Sequence, residues 1–258
     1  MLNFLSELFV YRQVLLVLVF RDLKARYRGS VLGLLWTLLN PLLLMATYSL
    51  VFAVYVRVEI PEYPIFVFSG LLPWIWFSSA LMSGANSIVD AGTLIKRVAF
   101  APQVLPAVAV TATLVNFLLA LPLLLAFALS WGLPITWAIL LLPIPIAIQF
   151  VFTLALTITV SMLGVRYRDL NHLLGNVVTL WFFLTPIVYP ATSVPDRFRA
   201  SLLVNPLTPL IVSFQDILYR GRPPEVLNLA LAAVVALLAL MAAVAVGRRL
   251  RWTIVEQV

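Results

Sequence analysis

The sequence has no cysteine, a single histidine, and no acidic or basic residue in the middle of any long apolar run. Each absence removes a class of chemistry. Without cysteine there are no disulfides and no thiolate metal sites. His172 has no cluster of ligating neighbours, so it reads as a polar residue at a helix start and no metal is expected. A carrier driven by protons or sodium ions usually needs ionisable groups within its spans or broken helices that coordinate ions. No G-x-x-x-x-G-K-[ST] phosphate loop occurs, so the chain cannot hydrolyse ATP by itself. Asp90 and Asp169 are far apart and lie beside basic residues, and no nucleophile stands with a base, which argues against an enzyme. Charge is scarce altogether: 10% of the 258 residues, against about 25% in soluble domains.

What is present is apolar. Hydrophobic residues make up 63% of the chain, and mean hydropathy is +1.08. Six runs, 31–56, 65–89, 104–131, 137–163, 173–190 and 226–246, reach or approach the ~20 residues that a helix needs to cross the hydrocarbon. Backbone amides have no water to bond there, so runs of this length imply helices. The expectation is an all-α membrane protein, 1–258, forming a single transmembrane domain of six helices.

The net charge of +7 is distributed by loop. Arg12, Arg21, Lys24, Arg26 and Arg28 precede the first run; Lys96 and Arg97, Arg166 and Arg168, and Arg248, Arg249 and Arg251 follow the second, fourth and sixth. The opposite side has only Arg57, Arg197, Arg199, Arg220 and Arg222. The positive-inside rule puts both termini in the cytoplasm. Nucleic acid is not an expected partner, because its binders cluster charge on one polar face. Glu7 and Arg12 interrupt the N-terminal apolar stretch, so it is not expected to be a cleavable signal.

Between the spans lie three other segments. Residues 1–30 predict an amphipathic helix in the cytoplasmic interface followed by a basic stretch, because "RDLKARYRG" would be costly in hydrocarbon. Residues 91–103 predict a short cytoplasmic helix over 93–100, stopped by Pro102. Residues 191–225 are broken by prolines and carry two short helical patterns, "DRFRASLLV" and "LIVSFQDILY", on the outer side. Irregular backbone at membrane depth must lie against protein or a water-filled cavity, which puts this segment over the mouth of a pathway.

Aromatic residues concentrate in the outer halves of the first, second and fifth runs: Tyr48, Phe52, Tyr55, Trp74, Trp76, Phe77, Trp181, Phe182, Phe183 and Tyr189. Two readings are open, an interfacial belt and a ring-lined passage on which sugar faces slide without tight hydrogen bonds.

At "RDLKARYRGSVLGLLWTLLNPLL", 21–43, the chain resembles membrane subunits of type-2 ABC transporters that export polysaccharides such as O-antigen and teichoic acid. The resemblance continues in order through "GANSIVDAGTLIKRVAFAPQVLP", "GVRYRDLNHLLGN", "WFFLTPIVYP" and "NPLTPLI". A departure is Ala101-Pro102-Gln103, where the family usually has a charge soon after the proline. The resemblance implies a homodimer of this chain in the bacterial inner membrane. It also implies two copies of a separate ATPase, which bind ATP and Mg, so this chain binds no cofactor itself. The cargo would be a polysaccharide on a polyprenyl pyrophosphate, as in lipopolysaccharide biosynthesis. On this reading Lys24, Arg26, Tyr27 and Arg28 meet the pyrophosphate, Tyr48, Phe52, Trp181 and Phe183 line the glycan path, and Thr93, Lys96 and Arg97 couple to the ATPase. Residues 191–225 would form an exit gate. The same basic residues could instead only anchor to anionic membrane lipids and set topology. Rival readings are a type-2 exporter of a lipid or drug, a membrane enzyme acting on polyprenyl phosphates, and a secondary carrier.

Overall fold

The computed structural model describes residues 7, 9–29, 32–91, 101–167 and 169–257. No strand occurs among them. Helix α1 is Arg12–Tyr27. Helix α2, Trp36–Ser49, continues as a π-helical turn, Leu50–Tyr55. Then follow α3 (Tyr63–Ala85), α4 (Ser87–Asp90), α5 (Val104–Ser130), α6 (Pro143–Arg166) and α7 (Leu170–Leu184). The last three are α8 (Arg199–Val204), α9 (Thr208–Leu218) and α10 (Val226–Gln257).

Five stretches among the described residues are long and apolar enough to cross a membrane: Trp36–Tyr55, Tyr63–Ala85, Val104–Ser130, Trp137–Arg166 and Val226–Arg249. The run expected as a fifth span, 173–190, is helical only to Leu184. At 1.5 Å per residue, the 15 residues of α7 rise about 22 Å, less than the roughly 30 Å of hydrocarbon. Pro186 accounts for the break. It has no N–H and disfavours helical backbone in the residue before it, and Thr185 is extended at φ −103°, ψ 136°. The unwound stretch is buried, with Thr185 and Ile187 fully enclosed. Its carbonyls are taken up by distant side chains. Asn205 Nδ2 donates to Leu184 O at 3.1 Å, Gln215 Nε2 to Pro186 O at 2.9 Å, and the Tyr63 hydroxyl to Val188 O at 2.6 Å.

Helix α3 is the hub, touching α2, α5, α6, α7 and α9. It is 78% buried over its apolar window, against 11% for Trp36–Tyr55, so α2 packs on α3 by one side and leaves much of its surface to lipid or to another chain. The α3–α6 crossing is built on small residues, which let helices approach closely in a membrane. A Cβ on Gly84 would stand 2.0 Å from Thr157 Cγ2, and one on Gly164 would stand 3.2 Å from Ala85 O. Ser87 Oγ and Ser161 Oγ meet at 3.2 Å across the same seam.

Helix α1 packs on α5. Its polarity runs lengthwise: residues 14–20 are all apolar, while Arg21, Asp22, Lys24 and Arg26 crowd its last turns. Val19 is buried, whereas Leu16, Val17 and Phe20 are exposed. Gln103, at the start of α5, is buried and donates from Nε2 to the Glu7 carboxylate.

Candidate functional site

Chemistry-bearing side chains gather in three places. The first is the end of α1. Arg26 Nε bonds Asp22 Oδ2 at 2.7 Å, an i,i+4 pair with both side chains about one-third exposed (32% and 35%). Arg26 forms part of the wall of two cavities. One, of about 210 Å³, reaches between α2, α3 and α5 and is edged by Asn40, Ser79, Thr113, Asn116 and Trp76. The other, of about 660 Å³, lies between α1, the α3–α4 junction and the start of α5. Arg21, Asp22, Arg26, Ser83, Ser87 and Asp90 supply its polar surface.

The structure divides the expected pyrophosphate cluster. Arg26 turns towards the bundle, while Lys24 and Arg28, one helical turn apart, border a separate, mostly apolar surface groove with Val17, Phe20 and Leu119, and Arg21 borders both that groove and the larger cavity. Tyr27 closes α1, but its side chain lies outside the described residues, as do Thr93, Lys96 and Arg97. Arg21 and Asp22 join the site although the sequence pattern alone does not assign them to it. The "RDLKAR" spacing, with Asp four residues before Arg, was the available signal.

The second place is an aromatic cluster between α2, α3 and α7. Tyr48 stacks on Phe182 at 5.2 Å and tilts against Phe52 at 6.4 Å. Phe182 meets Trp74 at 5.5 Å and Phe183 at 5.1 Å, both edge-on. Trp74 continues the contact to Phe77, and Phe77 to Trp181. A groove of about 210 Å³ between α2, α3 and α7 brings Tyr48, Trp74, Phe182 and Phe183 together with Ser78 and Thr179. Trp181 is turned away from this groove. Its Nε1 donates to Asn205 Oδ1 at 2.8 Å, so it pins α7 to the connection before α9. The expected glycan-path residues therefore fall into two environments, joined through Phe182, Trp74 and Phe77, which the sequence does not assign to the path.

The third place is the end of the bundle around α9. Helix α9, expected as one of two short outer helices, is wedged against α3, with Ile211, Phe214, Gln215 and Asp216 fully buried. Gly70 makes room for it: a Cβ there would stand 3.0 Å from Gln215 Nε2 and 3.3 Å from Ile211. Asp216 Oδ1 accepts from Arg220 at 2.7 Å and from Arg222 at 2.9 Å. The Tyr219 hydroxyl donates to Pro61 O at 2.7 Å, and Thr136 Oγ1 to Gly221 O at 2.7 Å. Burial, reinforced by Glu62 and opposed by Arg220, raises the Tyr219 phenol above its ordinary value and keeps its donated proton in place. No cluster able to hold a metal ion occurs among the described residues.

A family model described as ABC-2 type transporter matches residues 13–219, which include all three places. The chain is 44% identical over 245 residues to the O-antigen export system permease protein RfbA of Myxococcus xanthus, covering 94% of each. It is 32% identical over 212 residues to a protein of the same name from Klebsiella pneumoniae, covering 81% of each. It is also 21% identical over 243 residues to the polysialic acid transport protein KpsM of Escherichia coli, covering 90% of this chain and 91% of that one.

Proposed function

The chain belongs to the ABC-2 type transporter membrane family, and from that premise we propose that it is the permease subunit of an ATP-driven exporter of lipid-linked polysaccharide of the O-antigen class. The observation that carries this reading is the 44% identity, over 94% of both chains, with an O-antigen export permease. The relatives' names point to polysaccharide and give no support to a drug or simple-lipid exporter, or to a polyprenyl-phosphate enzyme.

In this reading two copies of the chain sit in the bacterial inner membrane with both termini in the cytoplasm. A separate ATPase pair binds ATP and Mg and supplies the work. Thr93, Lys96 and Arg97 meet that ATPase, and the connection 92–100 joins Ala91 to Ala101, both at the base of the bundle. Arg26 receives the pyrophosphate of the cargo, since a planar guanidinium can give an oxyanion two hydrogen bonds at once. Lys24, Arg28 and Tyr27 attract the lipid's charged head to the interface from the neighbouring face of α1. Tyr48, Phe52 and Phe183 give the glycan a ring surface without strong hydrogen bonds, and Trp181 braces it. The residues between α7 and α10 act as the exit gate, with six spans completed by α7 and its unwound continuation.

Deletion of the protein should leave a polyprenyl-linked glycan at the cytoplasmic leaflet, and re-expression should clear it. Arg26→Gln protein that inserts normally should restore less export than Lys24→Gln. Accumulation of no glycolipid on deletion would refute the assignment of cargo.

A further inference from the structure

The larger cavity beside Arg26 contains more than phosphate recognition requires. Its volume of about 660 Å³ falls within the usual range for small-molecule sites. A bare phosphate would call for cations and backbone N–H groups, yet this cleft also carries carboxylates. Asp22 is matched by Arg26 at 2.7 Å. Asp90 stands exposed at the end of α4 on the far side from α1. Beside it, Ser83 Oγ gives its proton to Ser79 O at 2.7 Å, and Ser87 Oγ gives its proton to Gly84 O at 2.7 Å. With those protons committed to the backbone, and Ser87 Oγ also facing Ser161 Oγ at 3.2 Å, what the serines offer the cleft is acceptor capacity, chiefly from Ser83, and an ionised carboxylate is also acceptor-only. One wall thus carries guanidinium donors and the other carries acceptors.

An acceptor wall suits a ligand bearing several donors and no charge of its own at that end. Adjacent sugar hydroxyls fit this description, and a carboxylate can accept from two of them. We propose that Asp90, with Ser83, binds the hydroxyl groups of the sugar next to the phosphate of the cargo, while Arg21 and Arg26 hold the phosphate across the cleft. This rests on the export reading above and adds a specificity determinant to it. A polyprenyl diphosphate without sugar satisfies the arginines but leaves Asp90 facing its negative charge.

The test is a titration of the purified complex with its ATPase, followed by native mass spectrometry. Two probes are used: undecaprenyl diphosphate, and undecaprenyl diphosphate bearing one N-acetylglucosamine. Wild type should bind the sugar-bearing probe about tenfold more tightly, about 1.4 kcal/mol. In Asp90→Ala the two affinities should converge, and Asp90→Glu should keep part of the preference. Arg26→Gln should weaken both probes by a similar factor and preserve their ratio. Equal binding of the probes by wild type, or an undiminished preference in Asp90→Ala, overturns the sugar assignment while leaving export intact. Wild type that retains neither probe sinks the lipid-diphosphate cargo itself, and the inference falls with it.

Discussion

The two ends of this bundle are held by different means. At the end that holds α9, expected to be the outer one, polar side chains reach across the chain to irregular backbone: Tyr63 to Val188, Gln215 to Pro186, Asn205 to Leu184, Tyr219 to Pro61 and Thr136 to Gly221. At the opposite end the described links between side chains include Asp22–Arg26, Ser87–Ser161 and Gln103–Glu7. The reason lies in the backbone. The outer end contains an unwound span and proline-broken connections whose carbonyls must be bonded where water is absent. Among the described residues the opposite end is bordered by helix termini, such as those of α1, α4 and α6, and the two cavities beside Arg26 lie there.

The α3–α6 seam is the most damaging place to intervene. Gly84→Val would force a branched side chain into Thr157, whose Cγ2 lies only 2.0 Å from where even a first Cβ would stand. Overpacking commonly costs about 1–3 kcal/mol, and a collision this close should reach or exceed the top of that range. Thermal unfolding of the purified protein should show loss of the folded state; an unchanged midpoint would mean the crossing can open freely. Next in size is Asn205→Ala in the outer end. It removes the partner of Leu184 O, Thr185 Oγ1, Trp181 Nε1 and Leu207 N together. Leaving a buried polar group unsatisfied costs about 1–3 kcal/mol, so a loss of about 2–3 kcal/mol is expected, with a change in Trp181 fluorescence. If the loss is no larger than for a surface substitution, the outer end is not held by this hub.

Helix limits were most legible where an apolar run is long and ends in glycine or proline. The run 104–131 became Val104–Ser130, followed by Gly132 in the left-handed region. The run 173–190 is helical only to Leu184, a limit that hydropathy does not show because it measures transfer from water and is silent about backbone bonding. Thr185, Pro186 and Ile187 look like part of a span, yet the helix stops at Leu184 because of Pro186, and Asn205 and Gln215, 20 or more residues away, take up Leu184 O, the Thr185 hydroxyl and Pro186 O. The basic cluster was visible in "RDLKARYRG", but its division was not, although helical phase sets Lys24 and Arg28 on one face. The aromatic residues were visible as a population. Which of them meet depends on the relative rotation of α2, α3 and α7, a tertiary fact.

A smaller effect is expected from Tyr219→Phe. It removes one hydrogen bond from a phenol to Pro61 O at the rim, worth about 0.5–1.5 kcal/mol. The rim is bonded at several other points, so the loss should appear as faster amide exchange in the 57–62 connection more than as a lower unfolding midpoint. Protection that stays unchanged there would separate Tyr219 from the outer lock.

The smallest effect on stability, and the sharpest on the contrast between the ends, should come from Asp22→Asn. Exposed i,i+4 pairs contribute about 0.3–0.5 kcal/mol, and with side chains about one-third exposed (32% and 35%) this pair should stay near that figure. The unfolding midpoint should hardly move. The substitution takes a carboxylate away from Arg26 and from the cleft, so a phosphate no longer competes with Asp22 for the guanidinium. Binding of undecaprenyl phosphate should therefore rise about two- to threefold, with stronger salt dependence. An outer anchor such as Asn205 cannot behave this way, because every bond it makes is to the protein's own groups. If Asp22→Asn instead destabilises the fold by about 2 kcal/mol without strengthening lipid binding, Arg26 is a structural anchor like those outside, and the difference between the two ends disappears.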